Sequence, residues 1–162
     1  MNRRLAALSL ATSLLLVTAP AARATGPGAA LAVIVNTGNP IDNLTMSDLR
    51  DLLLGRQATW SSGKRVTLVQ VAGDTPERAA VLKACCRMSA GEYDRAMLQS
   101  VFTGQVSSGP KVVSSPLAVI KFVFNVPGSL GIVPAEAVPD TVKAVRVEGR
   151  VAVDADYPLK IK

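Results

Sequence analysis

Histidine is absent from the 162 residues. That removes the usual general base, the usual partner that activates a nucleophile, and the commonest metal ligand. Cysteine is scarce: Cys85 and Cys86 are the only two, and they are adjacent. They fall in a predicted helix, where successive side chains diverge by about 100°, so they cannot easily pair with each other or share a metal. One is expected as a small buried hydrophobe and the other as a partly exposed thiol, which leaves an intermolecular disulfide open in an oxidising compartment. Aromatic residues make up 4% of the chain, and the basic residues Arg50, Arg56, Lys64, Arg65, Arg78, Lys83, Arg87 and Arg95 are scattered rather than grouped with them. A nucleic-acid-binding stripe is therefore not indicated.

The start of the chain has a layout of its own. Met1-Asn2-Arg3-Arg4 precedes an apolar run over residues 5–17, and a Pro/Ala stretch ends in Ala22-Arg23-Ala24. A basic head, an apolar middle and small residues at a cleavage position describe a secretory signal. The run is shorter than the about 20 apolar residues a membrane-spanning helix needs. The expectation is a signal peptide over residues 1–24, cleaved after Ala24, and a periplasmic or secreted protein with no membrane insertion after cleavage. The remaining 138 residues fit one domain. Three of the arginines leave with the leader, so a formal net charge of +6 becomes +3.

Along residues 25–162, strand and helix signals alternate. Leu31-Ala32-Val33-Ile34-Val35 is a continuous apolar run, as expected of a strand buried on both faces. Thr45 as N-cap, Asp48 at the capping-box position and Gly55 beyond the end bracket a helix with Met46, Leu49, Leu52 and Leu53 on one face. A loop around Trp60, expected to be plugged onto the sheet, leads to a strand over residues 66–71 that breaks at Gly73. Thr75 and Pro76 open a second helix running to about Arg87, and Ser89 with Glu92 opens a third that carries Tyr93, Met97 and Val101 on one side. A Ser/Gly linker over residues 104–110 precedes a short strand over 111–113. Ser115-Pro116 then opens a helix bearing Val119, Ile120, Val123 and Phe124. Strands over 130–133 and 142–147 follow. This predicts an α/β fold: a single three-layer-like lobe with a mixed sheet of about four to five strands flanked by helices.

Several phrases, in order, resemble the phosphate substrate-binding proteins of ABC transporters, a periplasmic binding protein family. Asn36-Thr37-Gly38-Asn39-Pro40, then Leu44-Thr45, Leu49-Arg50-Asp51 and Leu54-Gly55-Arg56 ending in Trp60, are similar to that family's strand-to-helix passage. Val126-Pro127-Gly128-Ser129-Leu130-Gly131-Ile132-Val133 resembles its Pro-Gly-Ala-Ile-Gly-Tyr-Val strand, and Asp156-Tyr157-Pro158-Leu159 its late Tyr-Pro-Leu motif. The match runs over residues 31–160. The family forms two-lobed clamps, so the resemblance implies a single lobe here. It also implies a ligand site in which a strand arginine and a Ser-Gly-Thr at the next helix hold the anion on free N–H groups. This chain offers Gln70 and Asp74-Thr75-Pro76 at those positions.

Two readings of that stretch stay open. In one, Asp74 and Thr75 simply cap a helix and Arg78 is solvated. In the other, Gly73, Asp74, Thr75 and Arg78 form a ligand-binding entrance, with the Gly73 backbone and Thr75 as donors and Arg78 turned toward the ligand. Glu92 is accounted for as a cap, and no spacing pairs Asp94 with Glu136, so no catalytic residue is assigned. The expectation is a non-enzymatic chain without cofactor or metal. Its partner would be a small solute or oxyanion, phosphate foremost, for ABC-type transport or sensing. The missing half of the clamp would then come from a second copy or from another protein; the alternative is a protein-interaction module in the envelope that has lost its ligand, for example an accessory to a transporter or sensor.

Overall fold

The computed structural model describes residues 28–161. The signal peptide expected over residues 1–24 and its expected cleavage site lie outside them. Six strands, β1 (Leu31–Val35), β2 (Asn43–Leu44), β3 (Thr67–Val71), β4 (Lys111–Val113), β5 (Ser129–Pro134) and β6 (Lys143–Val147), form one sheet in the order β2-β6-β1-β5-β3-β4. β1 runs antiparallel to both β5 and β6, whereas β3 is parallel to β4 and β5, and β2 is parallel to β6. The sheet is therefore mixed, with one strand more than the four to five expected. The extra strand is β2, two residues too short to carry any periodicity, placed by Leu44 pairing with Val147.

All five residues of β1 are buried, as the unbroken apolar run requires of a strand covered on both faces. Leu31, Val33 and Val35 face helix α1 (Met46–Leu53), the segment 82–86 and helix α3 (Ala90–Phe102), within a core that also holds Trp60, Tyr93, Tyr157 and Leu159. Ala32 and Ile34 point the other way, against Val119, Ile120 and Val123 of helix α4 (Pro116–Asn125). Burying side chains of this size contributes about 1.5–3 kcal/mol each. The layering is helices, sheet, helix.

The helix signals act where the sequence puts them. Thr45 and Asp48 close a capping box at α1, and Ser89 and Glu92 close another at α3. Thr75 caps α2 (Pro76–Val81) and Ser115 caps α4, each with proline in the first turn. The second helix does not stay α to Arg87. After Val81 it widens into a π turn, Leu82–Cys86, which Arg87 ends with a φ of 56°. The wider turn reduces the angle between successive side chains, so Cys85 and Cys86 both face the core, at 6% and 3% exposure. The expected partly exposed thiol is therefore buried. Phe124 also departs from expectation: it is 53% exposed at the end of α4, and Val101 sits at the edge of the buried face of α3.

The quoted motifs have structural roles. Asn36 donates from Nδ2 to the carbonyls of Val123 and Phe124, tying the end of β1 to the last turn of α4. Trp60 is buried and donates from Nε1 to the Gly128 carbonyl at 2.8 Å, so it does close its loop onto the turn before β5. Tyr157 and Leu159 are buried, and the Leu159 carbonyl accepts from the Leu31 N–H.

Candidate functional site

The C-terminal end of β3 leads into the candidate site. The Ala72 N–H reaches the Val113 carbonyl and extends the pairing with β4 by one step. Gly73 then turns the chain with a φ of 83°, a conformation that suits glycine and strains other residues. Thr75 is in extended geometry, and its Oγ1 accepts the backbone N–H of Arg78 at 3.2 Å. Pro76, the first residue of α2, has no N–H to offer. The structure thus brings Gly73, Asp74, Thr75 and Arg78 to one strand end, with Gln70 on the adjoining strand.

Arg78 does not point outward. Its side chain is 14% exposed and lies across the face of Tyr93, with the guanidinium carbon 5.6 Å from the ring centroid. Nε donates to Gln70 Oε1 at 3.3 Å, Nη1 to Asp74 Oδ1 at 3.3 Å, and Nη2 to Asp94 Oδ1. Gln70 in turn donates to the Tyr93 hydroxyl at 3.1 Å, and that hydroxyl donates to the Leu53 carbonyl at 2.7 Å. Burial pushes the Tyr93 phenol up to about 12, so it stays protonated. The chain of bonds runs from α2 through β3 and α3 to α1. Two carboxylates to one guanidinium leave the cluster net negative.

Tyr93 and Asp94 are the members that sequence reasoning did not assign to this cluster. Asp94 lies sixteen residues from Arg78 and on another helix. The only legible signal was an acidic residue beside the apolar face of α3. Around the cluster is an open cleft of about 550 Å³, bordered by Gly73 and Asp74 on one side and by Met97, Leu98, Val101 and Val112 on the other. Leu98 and Val112 are 60% and 66% exposed, so the cleft mouth has an apolar flank. Among the described residues, no group of three or more cysteines and acids comes together in a way that could hold a metal, and no helix is long and apolar enough to cross a membrane.

Comparison with solved structures defines the class of fold. An ABC-type phosphate transport receptor from Vibrio cholerae superposes with a TM-score of 0.67 at 20% identity, over 83% of this chain and 54% of that one. A putative phosphate ABC transporter substrate-binding protein from Clostridium perfringens, with bound phosphate, gives 0.68 at 17% identity, over 83% and 53%. PstS from Borrelia burgdorferi gives 0.67 at 16%, over 84% and 56%. The fold is that of about half of a phosphate-type substrate-binding protein, and the chain spans about half the length of the structures it matches. No family model and no curated protein matches the sequence.

Proposed function

We propose that the chain is a non-enzymatic binding lobe of the solute-binding type, exported from the cytoplasm, that acts by contact with another envelope protein and not by holding a free oxyanion. The state of Arg78 carries this reading. Among the described residues it is the one cation at the strand-end entrance, and Asp74 and Asp94 already occupy it. An incoming anion would have to displace a carboxylate and then sit beside it, at a repulsive cost. The Arg78 N–H is already donated to Thr75 Oγ1, and Pro76 supplies no donor. The fitting partner is a protein surface that is apolar at its centre and basic at its rim, so that it meets Leu98, Val101 and Val112 together with the exposed faces of Asp74 and Asp94.

The second reading, binding of phosphate or a related oxyanion for transport or sensing, draws on the fold neighbours and on the convergence of Gly73, Asp74, Thr75 and Arg78. Titration calorimetry of the purified chain against phosphate and sulfate at low salt separates the two. Interaction predicts no saturable heat up to about millimolar ligand. Saturable heat that Arg78→Ala abolishes would replace it with oxyanion binding. A photoreactive residue at position 98 should cross-link a defined envelope protein in the native host, one at exposed position 117 should not, and Asp94→Lys should suppress the product.

A further inference from the structure

A second groove lies beside the N-terminal start of β3, at the other end of that strand from Gly73 and Thr75. It has a volume of about 430 Å³ and is enclosed by the end of α1, the start of β3 and the loop over residues 104–110. Its floor is apolar, made by Leu53, Leu68, Met97 and Val106, and its rim carries Arg65, Ser107, Ser108 and Lys111. Among the described residues, no aspartate or glutamate lines it. Among the described residues, neither Arg65 nor Lys111 forms an ion pair, whereas Arg78 has two carboxylate partners. The Arg65 guanidinium reaches Ser107 Oγ across the groove and links the segment leading into β3 to the loop.

The loop is seated. Val106 packs on Gly55, where a Cβ would come within 2.9 Å of both its methyl groups, and its N–H reaches the Ser100 carbonyl at 3.1 Å. Ser107 and Ser108 are thereby held at the rim next to the two cations.

We propose that this groove binds an amphiphilic oxyanion, a phosphate or carboxylate head joined to a small apolar body. The head would rest on Arg65, Lys111 and the two serine hydroxyls, and the body on Met97, Leu68 and Val106. Both cations are exposed, and exposed ion pairs contribute little on their own. A bare anion is therefore held weakly, and covering the floor with apolar surface is what retains the ligand. Apart from Met97, which borders both clefts, this site uses none of the residues around Arg78, and its two cations are separate from that cluster, so it stands or falls independently of the reading above.

The test is amide chemical-shift mapping of the ¹⁵N-labelled chain with phenyl phosphate and, separately, inorganic phosphate, which share a head but not a body. The expected result is saturable shifts at Arg65, Ser107, Ser108 and Lys111 with phenyl phosphate, and affinity at least about fivefold weaker for inorganic phosphate. Arg65→Gln combined with Lys111→Gln should weaken phenyl phosphate about tenfold. Lys121→Gln, an exposed charge loss on α4, should leave it unchanged. Shifts that do not saturate, equal affinity for the two phosphates, or shifts centred on residues 73–78 would each overturn the proposal. Unshifted amide spectra of the double variant away from the groove establish that it remains folded.

Discussion

The guanidinium of Arg78 rests on the ring of Tyr93, 5.6 Å from its centroid, so a cation from α2 is stacked on an aromatic from α3. The same guanidinium bonds Gln70 on β3 and the carboxylates of Asp74 and Asp94. One side chain therefore joins three elements at the strand end.

This arrangement predicts a structural cost. A cation–π contact that is largely desolvated contributes about 1–2 kcal/mol, and the bond to Gln70 adds to it. Arg78→Ala should destabilise the chain by about 1–3 kcal/mol, read from the urea midpoint. Asp94 is 61% exposed, so Asp94→Asn should cost less than about 1 kcal/mol. If Arg78→Ala were neutral, the guanidinium would be free to serve a ligand and the oxyanion reading would gain.

Much of this layout is legible in the sequence because the relevant signals are local. Thr45 with Asp48, Ser89 with Glu92, Pro76 and Pro116 each mark a helix start within four residues, and the capping bonds form there. β1 declares itself by five apolar residues in a row. What escapes is set by distant contact. The Arg78 to Asp94 pair joins separate helices, and β2 exists only because residue 147 lies beside Leu44. Cys85 and Cys86 mislead because a π turn, which has no simple sequence signature, changes the angular step on which the reading relied. Tyr157, Leu159 and Ile161 are buried at alternate positions, a two-residue period over too few residues to be read, and the tail pairs antiparallel with the residues leading into β1.

Alkaline pH should unfold the chain through its buried acids. Burial pushes the Cys85 thiol from 9.0 to about 12, and the Tyr93 and Tyr157 phenols from 10.0 to about 12. Above pH 9 to 10 the unfolded chain sheds these protons while the native chain keeps them, so the native state binds more protons and stability falls as pH rises. Their contribution is complete below about pH 9 and is lost progressively toward about pH 12. Urea midpoints measured across that window should decline, and Tyr157→Phe should flatten the decline. A midpoint independent of pH there would contradict the burial of these groups.

The same burial governs thiol chemistry. A protonated thiol inside the core is a poor nucleophile, so a water-soluble disulfide reagent should leave the native chain unmodified and label both cysteines in urea. Rapid labelling of one thiol in the native state would mean that the π turn opens readily.

Two glycines should respond in opposite directions. At Gly131 in β5 an added Cβ would fall 2.4 Å from Val119 Cγ1 and 3.3 Å from Val69 Cγ1, so Gly131→Ala forces α4 off the sheet. The cost should be about 1–3 kcal/mol by thermal or urea unfolding. At Gly91 in the first turn of α3 nothing lies within 4 Å, and Gly91→Ala should stabilise by about 0.5–1 kcal/mol.

Trp60 holds the turn from which β5 departs. Its indole donates to the Gly128 carbonyl at 2.8 Å, and Gly128 itself has a φ of 87° with no room for a Cβ, which would lie 2.4 Å from the Arg65 carbonyl oxygen. Trp60→Phe keeps most of the apolar volume but leaves that carbonyl with the Thr67 N–H, at 3.1 Å, as its remaining donor. The expected loss is about 0.5–1.5 kcal/mol, measured by circular dichroism because the variant lacks the chain's single tryptophan. A loss well below that range would mean that the Thr67 N–H alone satisfies the Gly128 carbonyl and that the loop is held by its apolar and backbone contacts without the indole bond. A loss within it would make the Trp60 hydrogen bond the fixed point that positions Arg65 at the rim of the second groove.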